Sequence, residues 1–169
     1  LLCALDDGNY SMVMEQYSDI CAIGTIADVV PLVGENRTIV KSGLSILKNT
    51  ENLGLISLME NCGVNVNEIN ASTIAFTLSP RINAAGRFGS AMTALDLLTS
   101  DGSEAENLAN ELINLNNQRR ATESEIMAEI DSLIASNPEL VHRRVMVVSG
   151  DNWHHGVIGI IAARLLETY

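Results

Sequence analysis

An aspartate among branched aliphatic residues is the first candidate for chemistry in this sequence. Asp28 lies in the run Gly24–Pro31, GTIADVVP, between Ala27 and Val29. An ionised carboxylate in such surroundings faces a large desolvation cost unless an opposite charge compensates it. A divalent cation would supply that charge, and carboxylate oxygens suit Mg²⁺ or Mn²⁺. The alternative is an aspartate that caps a turn with its side chain in water, and a lone aspartate favours this alternative.

Two arginines six residues apart form a second candidate, a phosphate-binding segment. The run Ser79–Arg87 reads SPRINAAGR, in which Arg81 and Arg87 flank Asn83 and several small residues. Guanidinium groups bind phosphate oxygens through paired hydrogen bonds, and small side chains let a ligand approach the backbone. The residues support equally an ordinary loop whose arginines pair with some of the 21 acidic side chains.

A histidine pair before a glycine is the third candidate. The run Trp153–Gly159, WHHGVIG, leads into an apolar stretch typical of a helix, and a helix start attracts anions. His154 or His155 could meet a phosphate there, or either could be a plain surface residue. Adjacent histidines are expected to point in different directions, which argues against one metal ion bound by both. Trp153 could stack on a base or serve as a core aromatic residue.

Charge restricts the possible partners of the chain. A net charge of −11 argues against indiscriminate phosphate binding over the whole surface. Two stretches without acidic residues, 69–95 and 140–150, nevertheless contain arginines. A nucleic acid is therefore expected to bind locally.

The cysteines and the ends of the chain bear on its setting. Cys3, Cys21 and Cys62 fit neither a disulfide framework nor a zinc pattern, so they indicate a reducing cytoplasm and are predicted to be small core residues. No apolar stretch is long enough to cross a bilayer. Leu1 and Tyr169 do not resemble natural termini, so we expect a piece of a longer protein.

The elements that position these candidates are predicted to be mostly helical. A buried strand is predicted to begin at Asp19 and end near Ile23, with Asp28 in the loop that follows. From the apolar spacing and the capping residues we predict four short helices, at Arg37–Lys48 capped by Asn36, Leu53–Cys62, Asn70–Leu78 ended by Pro80, and Ser90–Leu98.

A much longer helix is predicted next. Ser103 and Glu106 have capping-box spacing, and an apolar period near 3.5 continues until Asn137, giving a length of roughly 50 Å. Polar residues, Arg119 among them, interrupt the apolar seam midway, which favours a helix joining two lobes over a free coiled coil. Its acidic residues are predicted to form a solvated face, with Arg119–Arg120 as a candidate strand contact. A strand over Arg144–Ser149 and another helix then begin a new α/β unit.

Four motifs, in this order and at these separations, resemble the RecJ-type exonucleases of the DHH phosphoesterase superfamily. Gly24–Leu32 followed by Gly34–Arg37 is similar to the late metal-site motif of the DHH domain, and Ser79–Gly89 is similar to the next motif. Asn114–Arg120 lies on what would be the interdomain helix, and Trp153–Ile160 is similar to the opening of the DHHA1 domain. The resemblance spans nearly the whole chain.

The resemblance implies a helix-rich α/β fold in three parts. Residues 1–102 would be the C-terminal part of a DHH catalytic domain, residues 103–137 the long interdomain helix, and residues 138–169 the opening strand-helix unit of a DHHA1 domain.

The resemblance also implies roles for individual residues. Asp28 matches an aspartate that helps hold Mn²⁺ or Mg²⁺, and Arg81, Asn83 and Arg87 match positions beside the cleft that handle the DNA backbone. His154 matches a histidine that faces the cleft from the other lobe. The family hydrolyses single-stranded DNA from 5′ to 3′ with two metal ions, in cytoplasmic DNA repair and recombination, alongside other repair proteins. Its remaining metal ligands are absent from this sequence, so the segment alone is expected to be inactive.

Two other functions stay open. One is a DHH-type phosphodiesterase for cyclic dinucleotides or short oligonucleotides, and the other is a non-catalytic DNA-binding or replication scaffold of the same fold. The presence of Asp28 argues against the scaffold, and the long connecting helix argues against a compact phosphodiesterase.

Overall fold

The computed structural model describes residues 8–169, and this part of the chain is helical and contains no β-strand. Two 3-10 turns, Val66–Glu68 and Pro138–His142, and one π turn, Ile74–Leu78, accompany the α-helices. The α-helices are α1 Tyr10–Ala27, α2 Gly34–Leu47, α3 Leu53–Asn61, α4 Ala71–Thr73, α5 Ser79–Phe88, α6 Ala91–Thr99, α7 Ala105–Ser136 and α8 His155–Thr168. The helix-rich fold predicted from the sequence is confirmed.

The strand predicted to end near Ile23 is wrong, because this run lies inside α1. A short apolar run fits a buried strand and a buried helix equally well, so its period does not decide between them. The close packing of this run against α2 favours the helix. A Cβ added at Gly43 of α2 would collide with the carbonyl oxygen of Ser18 and the Cβ of Ala22, so the glycine lets the two helices approach closely.

Two predicted helix caps are wrong, because each side chain has another partner. Asn36 lies inside the first turn of α2, and its Nδ2 donates to the carbonyl oxygen of Pro31 at 3.1 Å. Ser103 donates through its hydroxyl to Oδ1 of Asp101 at 2.8 Å, and α7 begins after Glu104 without a side-chain cap. The helices themselves form where they were predicted, within a few residues.

Pro80 does not end the helical run, contrary to the prediction. Asn70 caps α4 by accepting from two backbone N–H groups, and the π turn Ile74–Leu78 leads directly into α5. Pro80 is the second residue of α5 and lies inside this continuous run, directly after the π turn. The motif Ser79–Arg87 therefore lies on a helix and not in a loop.

Two hydrophobic clusters form the core, and α7 contributes to both. The first cluster contains residues from each of the helices α1 through α6 and from the N-terminal half of α7, including Leu112. The second joins Ile126 and Ile130 of α7 to Val157 and Ile161 of α8. The 32 residues of α7 correspond to roughly 48 Å, and the predicted long helix is confirmed. The domain boundaries implied by the resemblance stay a prediction.

The strand predicted over Arg144–Ser149 is also not formed. Val145 and Val147 are 71% and 73% exposed, whereas Val148 packs against the second cluster. This alternation is typical of a strand, but a strand needs a hydrogen-bonded neighbour, and the described residues provide none. An apolar groove of about 880 Å³ lies between this segment and α8.

The cysteines differ in their surroundings. Cys21 is exposed, which contradicts its predicted place in the core, and Cys62 is half-buried against the first cluster. Cys3 lies outside the described residues. Over residues 8–169, no helix is both long enough and apolar enough to span a membrane.

Candidate nucleic-acid interface

The end of α5 and the first turn of α8 meet directly, at what we call the α5–α8 junction: Arg87, Phe88, His154, His155 and Gly156. Nη1 of Arg87 donates to the carbonyl oxygen of Gly156 at 2.8 Å. The ring of Phe88 stacks on the imidazole of His154, with centroids 4.1 Å apart and planes inclined by 10°. A Cβ added at Gly156 would lie 2.8 Å from the carbonyl oxygen of Arg87, so a glycine is needed for this approach.

His154 is the N-cap of α8 and has a defined hydrogen-bonding state. Its Nδ1 accepts from the backbone N–H of Gly156 at 3.1 Å. A neutral imidazole accepts through one nitrogen and donates through the other, so the proton lies on Nε2. The N–H groups of Gly156 and Val157 are already hydrogen-bonded to His154, so the imidazole N–H, and not a row of free backbone donors, is offered to a ligand.

The two adjacent histidines do not point apart, contrary to expectation. Their rings stack, with centroids 4.8 Å apart and planes inclined by 16°. His155 is exposed and His154 is half-buried. Within residues 8–169 neither belongs to a group of three or more metal-ligating side chains.

The predicted phosphate-binding residues of α5 divide between different faces. Asn83 is exposed and lies one helical turn before Arg87, so the two share a face that leads towards the junction. Arg81 is half-buried, its Nη1 donates to the carbonyl oxygen of Thr77, and its Nε is buried without a partner among the described residues. Arg81 also acts on Cys62: burial raises the pKa of this thiol, and the nearby guanidinium partly lowers it again.

Neither Arg81 nor Arg87 forms an ion pair with an acidic residue of the described chain, where both salt bridges involve Glu123. The alternative interpretation, in which these arginines pair with acidic side chains, is therefore not observed among residues 8–169. The small residues between them have two different roles. Ala84 and Ala85 are fully buried in the core, whereas a Cβ at Gly86 would meet open space, so only Gly86 leaves room for a ligand.

Asp28 is exposed at the C-cap of α1, so its predicted desolvation is wrong. The carboxylate is still placed where a cation is favoured. The C-terminal end of a helix carries a partial negative charge, and the last turn of α1 contains no basic residue. Next to it, Val29 has a φ of 56°, a strained backbone for a β-branched residue.

The donor chemistry at Asp28 fits one ligand of a hard divalent ion, because a free carboxylate oxygen suits Mg²⁺ or Mn²⁺. Residues 8–169 contain no group of three or more histidine, cysteine, aspartate or glutamate side chains that could hold such an ion. A complete metal centre therefore requires ligands from outside the described residues.

Glu123 is the centre of a polar network that the sequence did not reveal. Its Oε2 accepts from Nη1 of Arg119 at 2.8 Å, and its Oε1 accepts from Nη1 of Arg164 on α8 at 2.9 Å. Arg119 also donates to Oδ1 of Asn116, whose side chain is buried. Arg119, predicted as a strand contact, is thus occupied within the protein, whereas Arg120 is exposed.

Trp153 has the role of a core residue. It packs against the second hydrophobic cluster, and its Nε1 donates to Oε2 of Glu129 at 2.7 Å. Phe88 is a second aromatic residue packed against this cluster, and no sequence pattern predicted its role, because its stacking partner is distant along the chain.

No family model matches the chain. Curated relatives do match, and they are named single-stranded-DNA-specific exonuclease RecJ. The chain is 39% identical to RecJ of Bacillus subtilis, over 92% of the chain and 20% of that protein. It is 40% identical to RecJ of Thermus thermophilus, over 90% of the chain and 22% of that protein. It thus spans about a fifth of the length of these relatives.

Solved structures agree with the sequence comparison. RecJ of Thermus thermophilus in complex with Mn²⁺ matches with a TM-score of 0.80 at 41% identity, over 91% of this chain and 23% of that one. The Mg²⁺ complex matches with a TM-score of 0.76 at 38% identity, over 91% and 24%. The resemblance predicted from the four motifs is confirmed: the chain matches a segment of the RecJ-type exonucleases.

Proposed function

We propose that the protein containing this segment is a metal-dependent exonuclease that degrades single-stranded DNA from the 5′ end to mononucleotides, in DNA repair and recombination. The observation that supports this most is the α5–α8 junction, where Arg87, which has no acidic partner among residues 8–169, contacts the same turn of α8 that begins with the His154 imidazole. Both are donors that bind phosphate oxygens. The similarity to RecJ proteins, which are named for this activity, supports the same substrate.

At the junction, Arg87 and His154 bind one phosphate of the strand. Arg87 uses one N–H to hold Gly156, and its other N–H groups offset the negative charge of the phosphate. His154 donates from Nε2, because Nδ1 is occupied. Asn83, one helical turn earlier, contacts the neighbouring part of the backbone. Arg81 contacts the strand through Nη2, because Nη1 donates to Thr77 and Nε is buried.

We propose that Asp28 is one ligand of a Mn²⁺ or Mg²⁺ site, as its exposed position at the end of α1 allows. Two such ions, when bound, supply an activated water and offset charge on the leaving oxygen. The complexes of the Thermus thermophilus protein with Mn²⁺ and Mg²⁺ support the choice of metal. Residues 8–169 lack a complete ligand set, and we expect the isolated segment to be inactive.

A cytoplasmic location and association with other DNA repair proteins follow from the proposed substrate and belong to the same proposal.

The test is an end-chemistry assay on the full-length protein with Mn²⁺. We expect mononucleotides from a 5′-phosphorylated single strand, no release from the same strand in a blunt duplex, and loss of release when the metal is chelated. The isolated 169-residue chain is the inactive control. Cleavage of cyclic dinucleotides but not of the long single strand would support the phosphodiesterase instead. Binding of DNA without any hydrolysis would support the scaffold.

A further inference from the structure

We propose that Phe88 is a positioning residue, which fixes the imidazole of His154 so that its Nε2–H is presented to the substrate. The inference rests on the function proposed for His154 and adds a residue for which the sequence motif gives no role. Phe88 is the last residue of α5, and its ring lies nearly parallel to the imidazole at 4.1 Å.

Phe88 is held in place through its side chain and through the neighbouring backbone. Its side chain is half-buried and packs against the second hydrophobic cluster, between α7 and α8. Its backbone follows Arg87, whose guanidinium holds the carbonyl oxygen of Gly156. Two consecutive residues of α5 therefore contact the same turn of α8. Arg87 donates through its guanidinium to the carbonyl oxygen of Gly156, and Phe88 stacks on the ring of the N-cap residue, His154.

An imidazole that caps a helix has two orientations, related by a half-turn about its Cβ–Cγ bond. Only one of them places Nδ1 opposite the N–H of Gly156, and this orientation is the observed one. A half-turn leaves the imidazole in the same plane, so the cap bond selects between the two orientations, and the parallel ring of Phe88 opposes tilting of the imidazole away from that bond. The stack and the cap bond together hold Nε2–H in one direction.

A planar ring at position 88 is what this role requires, whereas packing in the cluster requires only an apolar side chain. Phe88→Leu keeps an apolar group against the cluster and removes the stacking plane. Phe88→Tyr keeps both. The two variants therefore separate positioning from packing.

The direct test is spectroscopic and does not depend on catalysis. The full-length protein is labelled with ¹⁵N in histidine, and the His154 signals are assigned by their loss in His154→Ala. We expect the wild type and Phe88→Tyr to show one tautomer, protonated at Nε2, and Phe88→Leu to show a mixture of tautomers or a broadened signal. An unchanged single tautomer in a folded Phe88→Leu protein would overturn the inference, whatever the nuclease assay shows.

Kinetics give a second readout. We expect Phe88→Leu to lower kcat about two- to tenfold with little change in KM, and Phe88→Tyr to restore it, in line with the strength of an aromatic stack. Equal losses in the two variants would show that shape alone matters and would contradict the inference. If the wild type has no nuclease activity, the proposed function fails, and the tautomer measurement still decides whether Phe88 positions His154.

Discussion

Individual side chains at the α5–α8 junction divide their polar groups between the protein and a ligand. Arg87 donates one N–H to the carbonyl oxygen of Gly156, and Nδ1 of His154 accepts from the backbone N–H of the same residue. Arg87 can therefore link α5 to α8, and His154 can cap α8, while each keeps at least one donor for a phosphate. Arg119 is the contrasting case, since Asn116 and Glu123 occupy its guanidinium.

The two described cysteines test burial at the residue scale. Cys21 is exposed, whereas burial of Cys62 raises the pKa of its thiol and so lowers its thiolate fraction at neutral pH. We expect iodoacetamide to modify Cys21 faster than Cys62 in the native protein, and at similar rates after denaturation. Peptide mass mapping after brief exposure measures both. Equal rates in the native protein would contradict the structure.

The same shift gives a sign for the pH dependence of stability. Because folding raises the pKa of Cys62 above 9.0, the unfolded chain loses its proton first as the pH rises. The protonated thiol therefore contributes its full stabilisation below pH 9.0, and this contribution is lost as the pH rises through the higher pKa of the folded protein.

Residue type identified Arg81, Asn83 and Arg87 as candidates, because phosphate-binding groups are few in an acidic chain. It left His154 and His155 as alternatives, and the resemblance to the family selected His154. Residue type could not identify Phe88 or Glu123, whose roles depend on partners that only the fold brings close. Asp28 was chosen for a burial that it does not have in the described structure.

At the scale of elements, the joint between α7 and α8 depends on Glu123. We expect Glu123→Gln to lower the free energy of unfolding by about 1–3 kcal/mol, because Arg119 is left largely buried without a counter-charge. Arg164 is 57% exposed, so its share is small and screened by solvent. The measurement is urea unfolding followed by the fluorescence of Trp153, next to the joint.

The matched control is Glu125→Gln, which changes an exposed glutamate on the same helix. It should leave the unfolding midpoint unchanged. If the two variants were equally stable, the network around Glu123 would contribute nothing measurable to the joint.

Apolar spacing predicted most helices, including α7, because a buried helical face imposes its period on the sequence. The ends were less predictable. Ser103 and Asn36 are good capping residues that found other partners nearby. The two predicted strands failed for separate reasons: the run ending at Ile23 packs as a helix, and Arg144–Ser149 has no strand to pair with in the described part of the chain.

At the scale of the whole molecule, α7 connects two hydrophobic clusters, and the polar network lies on α7 between them. The junction provides a second connection, since α5 belongs to the first cluster and α8 to the second. The order and separation of four motifs predicted the relationship to RecJ-type exonucleases. The metal centre could not be completed from the sequence, because Asp28 is the one residue of this sequence that the resemblance matches to a metal ligand of the family.

The most direct test of the account is the substitution Asp28→Asn in the full-length protein, with Asp131→Asn, an exposed position on α7, as the matched control. Hydrolysis of single-stranded DNA is measured in Mn²⁺. Loss of a metal ligand should lower the rate by more than about a hundredfold, and the control should match the wild type. An Asp28→Asn protein that hydrolyses DNA at the wild-type rate would contradict the account.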